Sequence, residues 1–482
     1  MIGHVAVTAF LISCVARPLP AFGLRLRSCA MSKRVLVSAV LPAAVLSVFG
    51  CLGTGSAMAA EQQDGPSAWM LGNWGGARTR LQERGYDFNI GYVGEVAGLL
   101  DGGYRDDHIG RYSHQFAAGM HMDLEKVFGW HAAEFQVSIT ERGGRNLSNV
   151  GIADPRAGQL SSVQEVWGRG QRWRLTQLWF KQKYFGDRLD LKLGRFGEGE
   201  DFNSFPCDFQ NLVLCGSQMG NWAGSVWYNW PVSQWAIRAK VTLARDLALQ
   251  VGAYEQNPLL LDPRRGFTFS TRGRAGTLMP VELVWSPPKL VGGLPGEYRL
   301  GYFRSTARAT DVYLDVDGLP QAITGNAFRQ RSGKHGAWFT AQQQLTRVDG
   351  DASRGLSVFG NLTIHDKATN TVDGFQQLGV VYRGPFNARP RDDIGFGVGR
   401  IHVNDRLARQ QRLLNTVNQV DTFSDPLYQP VQRTEYNAEV YYGVHVKDWL
   451  TVRPNLQYVK DPGGVGEVDS ALVLGIKLQV VL

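Results

Sequence analysis

The stretch ALVLGIKLQVVL, residues 471–482, decides the fold because its side chains alternate. Every second residue back from Leu482 to Leu472 is apolar, whereas Lys477 and Gln479 stand between them. A period of two is typical of a β-strand, since successive side chains point to opposite faces. The stretch is therefore predicted to be a strand with one apolar face and one partly charged face.

The same alternation recurs along the chain. It is clear in HQFAAGMHMDLE (114–125), WAIRAKVTLA (235–244) and YNAEVYYGVHVK (436–447). About seventeen stretches of the chain show this alternation and are candidate strands. The pattern predicts an all-β protein.

The connections between these candidate strands alternate in length. Short turns alternate with long connections, and if residues 197–232 form one long connection, the count becomes sixteen. Transmembrane barrels of bacteria have an even number of strands, with short turns at one end and long loops at the other. The long connections are predicted at 98–112, 142–171, 197–232, 256–277, 307–334 and 404–432.

Together these patterns predict a 16-stranded antiparallel transmembrane β-barrel. Its last strand is expected to pair with the first, at 88–98, because hydrocarbon does not tolerate an open sheet edge. The apolar face of 471–482 would then contact lipid, and the face with Lys477 would line a wet interior. A soluble sandwich or propeller, which also alternates, is the alternative.

The N-terminal region has the features of a secretory signal peptide. Lys33 and Arg34 precede a long apolar run, and Ala57-Met58-Ala59 fits a cleavage site. We therefore assign residues 1–59 to an extension plus signal peptide, with Met31 as the expected start. This segment holds five basic residues and no acids, so its removal lowers the formal net charge from +8 to +3. The mature charge gives no support for nucleic-acid binding.

Two cysteines remain in the mature chain, Cys207 and Cys215. In an exported protein such a close pair indicates a disulfide rather than a metal site. We expect no metal and no cofactor.

Two stretches resemble the carbohydrate-selective porins of the OprB type. One is WMLGNWGGARTRLQERGYDFNIGYVGEVAG at 69–98, and the other spans 174–222 and contains GRFGEGEDFNSFPCDFQ. The resemblance implies a sixteen-stranded barrel in the outer membrane of a Gram-negative bacterium, through which sugars such as glucose and other monosaccharides diffuse. It also implies a short helix before the first strand, within a periplasmic segment at 60–87, and a barrel at 88–482 whose lumen is narrowed by inward-folded loops.

A sugar-conducting lumen needs charged and amide groups for hydroxyls and flat aromatic faces for the C–H side of the ring. The 197–232 connection and the strand that precedes it supply both, and we expect the connection to fold into the lumen with Cys207–Cys215 at its tip. Packing as an outer cap is the alternative. The predicted pore-lining residues are Arg195, Glu198, Glu200, Asp201, Trp222, Glu95, Gln177, Lys192 and Arg238.

A second set, the strand residues predicted to face inward, holds more basic residues than acids. Its members are Glu95, Gln136, Gln177, Lys181, Lys192, Arg238, Lys240, Arg453 and Lys477. A general or anion-preferring porin is therefore the first alternative, and a surface sugar-binding adhesin is another. The sequence has none of the common hydrolase, zinc or phosphate-loop motifs, and we predict that the protein is not an enzyme. The expected partners are small sugars, outer-membrane lipid and lipopolysaccharide, and the barrel-assembly machinery, with the protein as a monomer or homotrimer.

Overall fold

The computed structural model describes residues 67–105 and 107–482. The predicted signal peptide and its cleavage site lie outside the described residues. Within the described ranges, no helix is both long and apolar enough to cross a membrane.

Within these residues sixteen strands form one closed antiparallel barrel, which confirms the predicted all-β, sixteen-stranded architecture. The first eight barrel strands, with two short helices, are α1 (Ala77–Glu83), β1 (Tyr86–Gly103), β2 (Gly110–Asp123), α2 (Leu124–Phe128), β3 (Ala133–Gly144), β4 (Arg174–Tyr184), β5 (Leu189–Phe196), β6 (Gln234–Ala244), β7 (Leu247–Gln256) and β8 (Gly276–Trp285). A one-turn helix, Met219–Trp222, lies between β5 and β6; it is α3.

The second half continues the barrel and carries two structured outer loops. Its elements are β9 (Gly296–Ser305), β10 (Ala309–Asp315), α4 (Gln321–Thr324), β11 (Phe328–Arg331), β12 (His335–Gln344), β13 (Gly355–His365), β14 (Val372–Arg383), β15 (Asp393–Val403), α5 (Asp405–Asn418), β16 (Thr434–Lys447), β17 (Leu450–Lys460) and β18 (Asp469–Val481). Strands β10 and β11 form a separate two-stranded sheet outside the barrel, in a connection that the sequence predicted only as a long loop.

The barrel closes where β1 pairs with β18. Glu95 stands opposite Lys477 in this antiparallel pair, and Val96 stands opposite Ile476. The closing pair is the one predicted from the need to leave no open sheet edge. Helix α1 precedes it, and the buried Arg78 of α1 donates to the backbone carbonyls of Phe88 at 2.6 Å and Leu482 at 2.8 Å.

The two faces of the strands differ as the sequence indicates. On β18, Leu474 and Ile476 are half-exposed on the outside of the barrel, whereas Lys477 on the inner face is only 1% exposed. Polar groups are thus enclosed and apolar groups cover the outside, which is the reverse of a soluble sandwich and the pattern of a membrane barrel.

The two rims of the barrel also differ. One rim has mostly short connections, such as 185–188, 245–246 and 448–449, and the opposite rim has the long ones. Two long connections enter the lumen and are named by their residues: the first lumen loop is 145–173 and the second lumen loop is 197–233. The second contains SVWYNW (225–230), which is not a strand, as the predicted count of sixteen requires.

Candidate functional site: the loop-lined lumen

The second lumen loop is held inside the barrel by two apolar clusters. In one cluster, Phe209 and Trp222 of the loop pack against Phe359, Phe375 and Tyr441 of the wall. The Trp222 and Phe375 ring centroids lie 5.1 Å apart. Burial of large aromatic side chains is a strong stabilising contribution, so the loop is a fixed part of the lumen wall.

The other cluster anchors the opposite side of the same loop. Phe202, Met219 and Trp227 pack among the wall residues Phe303 and Trp338. Trp338 also donates its indole N–H to Glu282 at 2.6 Å. The two clusters attach the loop to adjoining stretches of the wall, since β12, which carries Trp338, pairs with β13, which carries Phe359.

Glycines on β15 make room for this loop. A Cβ atom at Gly397 would lie 2.9 Å from Leu214, and one at Gly399 would lie 3.1 Å from Val213. Because even these small substituents would crowd the loop, the glycines of GFGVG at 395–399 allow the loop to pack closely against β15.

A disulfide joins Cys207 and Cys215, whose Cα atoms lie 4.1 Å apart at the tip of the second lumen loop. The Lys477 ammonium group donates to the carbonyl oxygens of Cys207 at 3.2 Å and Phe209 at 2.8 Å. The loop tip is thus attached to the closing strand of the barrel.

Five of the predicted residues meet in one ionic cluster. Lys192 on β5 lies 3.0 Å from both Glu200 and Asp201 of the second lumen loop. Arg238 on β6 lies 3.4 Å from Asp201. Gln177 on β4 donates to Glu200 at 2.9 Å. Burial raises the pKa of the Glu200 carboxyl above its ordinary value, and the nearby Lys192 ammonium offsets only part of this rise.

The first lumen loop supplies a second ionic cluster, which the sequence interpretation missed. Glu165 of this loop lies 3.0 Å from Lys477 and 4.0 Å from Arg142 on β3. Lys477 is also 3.7 Å from Glu95, the predicted residue on β1. The Glu95 carboxylate accepts a hydrogen bond from the backbone N–H of Val166 at 3.2 Å.

An aromatic and amide group adjoins this second cluster. The side-chain oxygen of Gln115 accepts from the Trp230 indole at 2.9 Å and from the Arg142 guanidinium at 2.8 Å. Trp230 is only partly buried, so part of its ring remains accessible. The arrangement combines a flat ring, an amide and a guanidinium within one patch.

Two predicted residues of the second lumen loop have buried positions. Glu198 is fully buried, and its carboxylate accepts the backbone N–H of Tyr228 at 3.1 Å. Burial raises the pKa of this carboxyl to about 8. Trp222 is 6% exposed within the apolar cluster. Both side chains hold the loop in shape, and neither offers an open surface to a solute.

Arg195 does not belong to the lumen wall, contrary to the sequence interpretation. Lys192 faces inward, and strand alternation places Arg195 on the outer face together with Leu193. Its guanidinium donates to the backbone carbonyls of Thr268 and Ser233. Arg195 therefore fixes the outer loop that follows β7, and its position close to the acidic residues in sequence was misleading.

Most charges inside the barrel are matched. Carboxylates face most of the ammonium and guanidinium groups at short range, so the predicted excess of basic residues does not produce a run of free cations; Lys240 on β6 makes no ion pair within the described residues. Further lumen pairs are Arg238–Asp190 at 2.8 Å, Arg299–Glu282 at 3.1 Å and Lys181–Glu134 at 2.7 Å.

A cavity of about 270 Å³ lies inside the barrel toward the short-connection rim. Its wall includes the Phe205 and Phe359 rings, whose centroids are 5.3 Å apart, and the Asp208–Arg383 pair at 3.4 Å. The cavity thus presents apolar ring faces beside a charged pair.

A closed barrel with an apolar outside and a polar, loop-narrowed lumen defines the class of porin-type channels. The chain belongs to the OprB family of carbohydrate-selective porins, whose family model matches residues 107–482.

Three known proteins show the extent of this similarity. Porin B of Pseudomonas aeruginosa is 67% identical over 437 residues, which cover 90% of this chain and 96% of that protein. A putative porin of Acinetobacter baylyi, QuiX, is 40% identical over 418 residues, covering 86% of this chain and 92% of its own length. The high-pH structure of Pseudomonas putida OprB superimposes with a TM-score of 0.86 at 63% identity, covering 87% of this chain and 99% of that one.

Proposed function

We propose that the protein conducts monosaccharides such as glucose passively across the outer membrane, between the two lumen loops and the barrel wall. The observation that carries this proposal is the pairing of Glu200 and Asp201 with Lys192 and Arg238 in the lumen. Paired charges offer many hydrogen-bond donors and acceptors without a strong net field.

This pairing favours a neutral polar solute over an anion. A hydroxyl group can donate to a carboxylate and accept from an ammonium or guanidinium group at the same place. An anion would gain from Lys192 and Arg238 but would be repelled by the carboxylates within 3.4 Å of them. The anion-preferring alternative therefore loses its main argument, which was the excess of basic residues.

Aromatic rings complete the proposed sugar path. Trp230 beside Gln115 and Arg142 presents a flat ring next to polar groups, and Phe205 and Phe359 do so in the cavity near the opposite rim. Aromatic faces pack against the C–H surface of a sugar ring while hydroxyls bond to the neighbouring polar groups. Because these contacts are spread along the lumen, a sugar binds weakly at each of them and can be released, as diffusion requires.

Single-channel conductance in a planar bilayer, with glucose titrated in, tests this proposal. We expect a stable open channel whose ionic current falls saturably with glucose. A channel that ignores glucose and discriminates strongly for anions would overturn the sugar assignment while leaving the barrel intact. Absence of any channel from well-folded protein would favour the adhesin instead.

Other parts of the proposal follow from the family. We place the long loops outside the cell and the N-terminal helix α1 in the periplasm, since the barrel's short connections lie on the α1 side. As a channel, the protein needs no reaction step. Assembly by the barrel-assembly machinery, and a monomeric or homotrimeric state, stay predictions.

A further inference from the structure

A groove of about 620 Å³ opens on the outside of the barrel at the long-loop rim. We call it the outer groove. Its walls come from two barrel strands, the end of the first lumen loop and the loop after β7. The lining residues are His114, Glu141, Gln171, Arg172, Trp173, Pro263, Arg264, Gly266 and Phe267. The groove is therefore separate from the sugar path in the lumen.

The barrel side of the outer groove carries an ionisable pair where apolar residues are expected. His114 stands opposite Gly94 on β1, on the outward face, while its neighbour Gln115 points into the lumen. Its Nε2 lies 3.1 Å from the Glu141 carboxylate. Charged side chains on the outer face of a barrel are costly at mid-membrane and tolerated near the interface. The pair therefore marks the level of lipid headgroups.

Two polar atoms of the groove have no partner. The Nδ1 atom of His114 and the side-chain nitrogen of Gln171 are buried and make no hydrogen bond within the described part of the chain. Buried polar atoms are nearly always satisfied, so these two atoms indicate a polar ligand.

Two arginines line the loop side of the groove, Arg264 of the loop after β7 and Arg172 of the facing loop. The surrounding stretch DPRRGFTFSTRGR, residues 262–274, is basic as a whole, with four arginines and one acid. Arg264 is 79% exposed even though it pairs with Asp262. Guanidinium groups bind phosphate in a bidentate manner, so this wall is complementary to a phosphorylated ligand.

Aromatic side chains accompany these arginines. Trp173 is 45% exposed, and Phe267 and Phe269 are each 51% exposed. Exposed aromatic residues at barrel rims occupy the boundary between acyl chains and headgroups. The groove thus has aromatic side chains that suit acyl chains, beside cations and unsatisfied polar atoms that suit a headgroup.

We propose that the outer groove binds the phosphorylated sugar headgroup of one lipopolysaccharide molecule in the outer leaflet. Arg172 and Arg264 contact its phosphates, and His114 and Gln171 bond to oxygens of the headgroup. Trp173 packs against the start of the acyl chains. The Glu141 carboxylate is turned toward His114. This pairing limits the repulsion between Glu141 and the lipid phosphates.

The test uses the full barrel in phosphatidylethanolamine nanodiscs, titrated with lipid A carrying both phosphates. The Arg172→Ala/Arg264→Ala variant is compared with Arg245→Ala/Lys289→Ala, which removes two exposed cations from the short-connection rim. We expect at least about tenfold weaker lipid A binding for the groove variant and no change for its control, since each basic residue at a lipid surface contributes substantially.

Three results would overturn the proposal: equal weakening in both variants, equal affinity for dephosphorylated lipid A, or full displacement by millimolar inorganic phosphate. The last would reveal a site for free phosphate rather than lipid. Glucose block of the channel is expected to be the same in both variants, so failure of this proposal is distinguishable from failure of the sugar assignment.

Discussion

Lys477 on the closing strand lies 3.0 Å from Glu165 of the first lumen loop, and the same ammonium group donates to the second lumen loop at Phe209. One buried side chain thus joins both loops to the seam of the barrel.

Replacement of Lys477 by methionine is expected to leave the buried Glu95 carboxylate without its cation and Glu165 with only Arg142, at 4.0 Å. Removal of one partner from a buried ion pair costs about 3–5 kcal/mol. We expect noisier single-channel currents, a larger mean conductance and a lower temperature for the heat-induced mobility shift on a gel.

The matched control for this change is Lys477→Met combined with Glu165→Gln and Glu95→Gln. Neutral amides remove the unpaired charges, so the triple variant is expected to recover most of the lost thermal stability. If the Lys477→Met variant is as stable as the wild type, the ammonium group does not hold the two lumen loops to the barrel.

Removal of the disulfide by Cys207→Ser/Cys215→Ser is expected to loosen the tip of the second lumen loop. Closure of a loop this short stabilises by about 2.5 kcal/mol in the chain-entropy account. We expect weaker glucose block and more open-channel noise, measured in a planar bilayer. Unchanged glucose block would show that the apolar clusters alone fix the tip.

Selectivity is expected to change when the acidic half of the lumen cluster is neutralised. In a Glu200→Gln/Asp201→Asn variant, Lys192 and Arg238 lose the loop carboxylates that now lie within 3.4 Å. The zero-current potential in a KCl gradient should shift toward anion preference. An Asp187→Asn variant, in an exposed turn, is the control, and equal potentials in both would contradict a role for the cluster in selectivity.

The barrel could be predicted because alternation is a local property. In 471–482 the polarity of each side chain indicates which face of the strand it occupies. The pairing of β1 with β18 then follows because the barrel must close. The same rule would have excluded Arg195 from the lumen, since Lys192 and Arg195 differ by an odd number of positions on one strand. Arg195 was instead assigned to the lumen because it is close in sequence to Glu198 and Glu200.

The second ionic cluster could not be found in this way. Glu165 lies within a long connection without any alternation, and its partners Arg142 and Lys477 are distant in sequence. Only the path of the first lumen loop brings them together. The available signal was the basic and aromatic stretch WGRGQRWR, at 167–174, which marks this connection as more than a solvated loop.

Loop stability is expected to depend on pH through Glu198. Burial raises its pKa to about 8 from an ordinary value of 4.5, so the folded protein favours the protonated carboxyl. The stabilising contribution is therefore complete below pH 4.5 and is lost as the pH rises through about 8. Its size is on the order of 5 kcal/mol.

A Glu198→Gln variant should lack this dependence, because an amide keeps the acceptor and does not ionise. The temperature of the heat-induced mobility shift, measured between pH 5 and 9, is expected to fall in the wild type and to fall less in the variant. Parallel curves for the two proteins would show that another group titrates.

The two tryptophans of the second lumen loop are expected to respond differently to truncation. Trp222 is 6% exposed against Phe375, so Trp222→Ala should cost about 3–5 kcal/mol of stability through the cavity it leaves. Trp230 is partly open beside Gln115, so Trp230→Ala should weaken glucose block by about three- to tenfold with little loss of stability. Glucose titration of single channels and heat-induced mobility shifts, measured on both variants, separate these effects. If Trp230→Ala leaves the glucose block intact, the sugar path does not run along this ring.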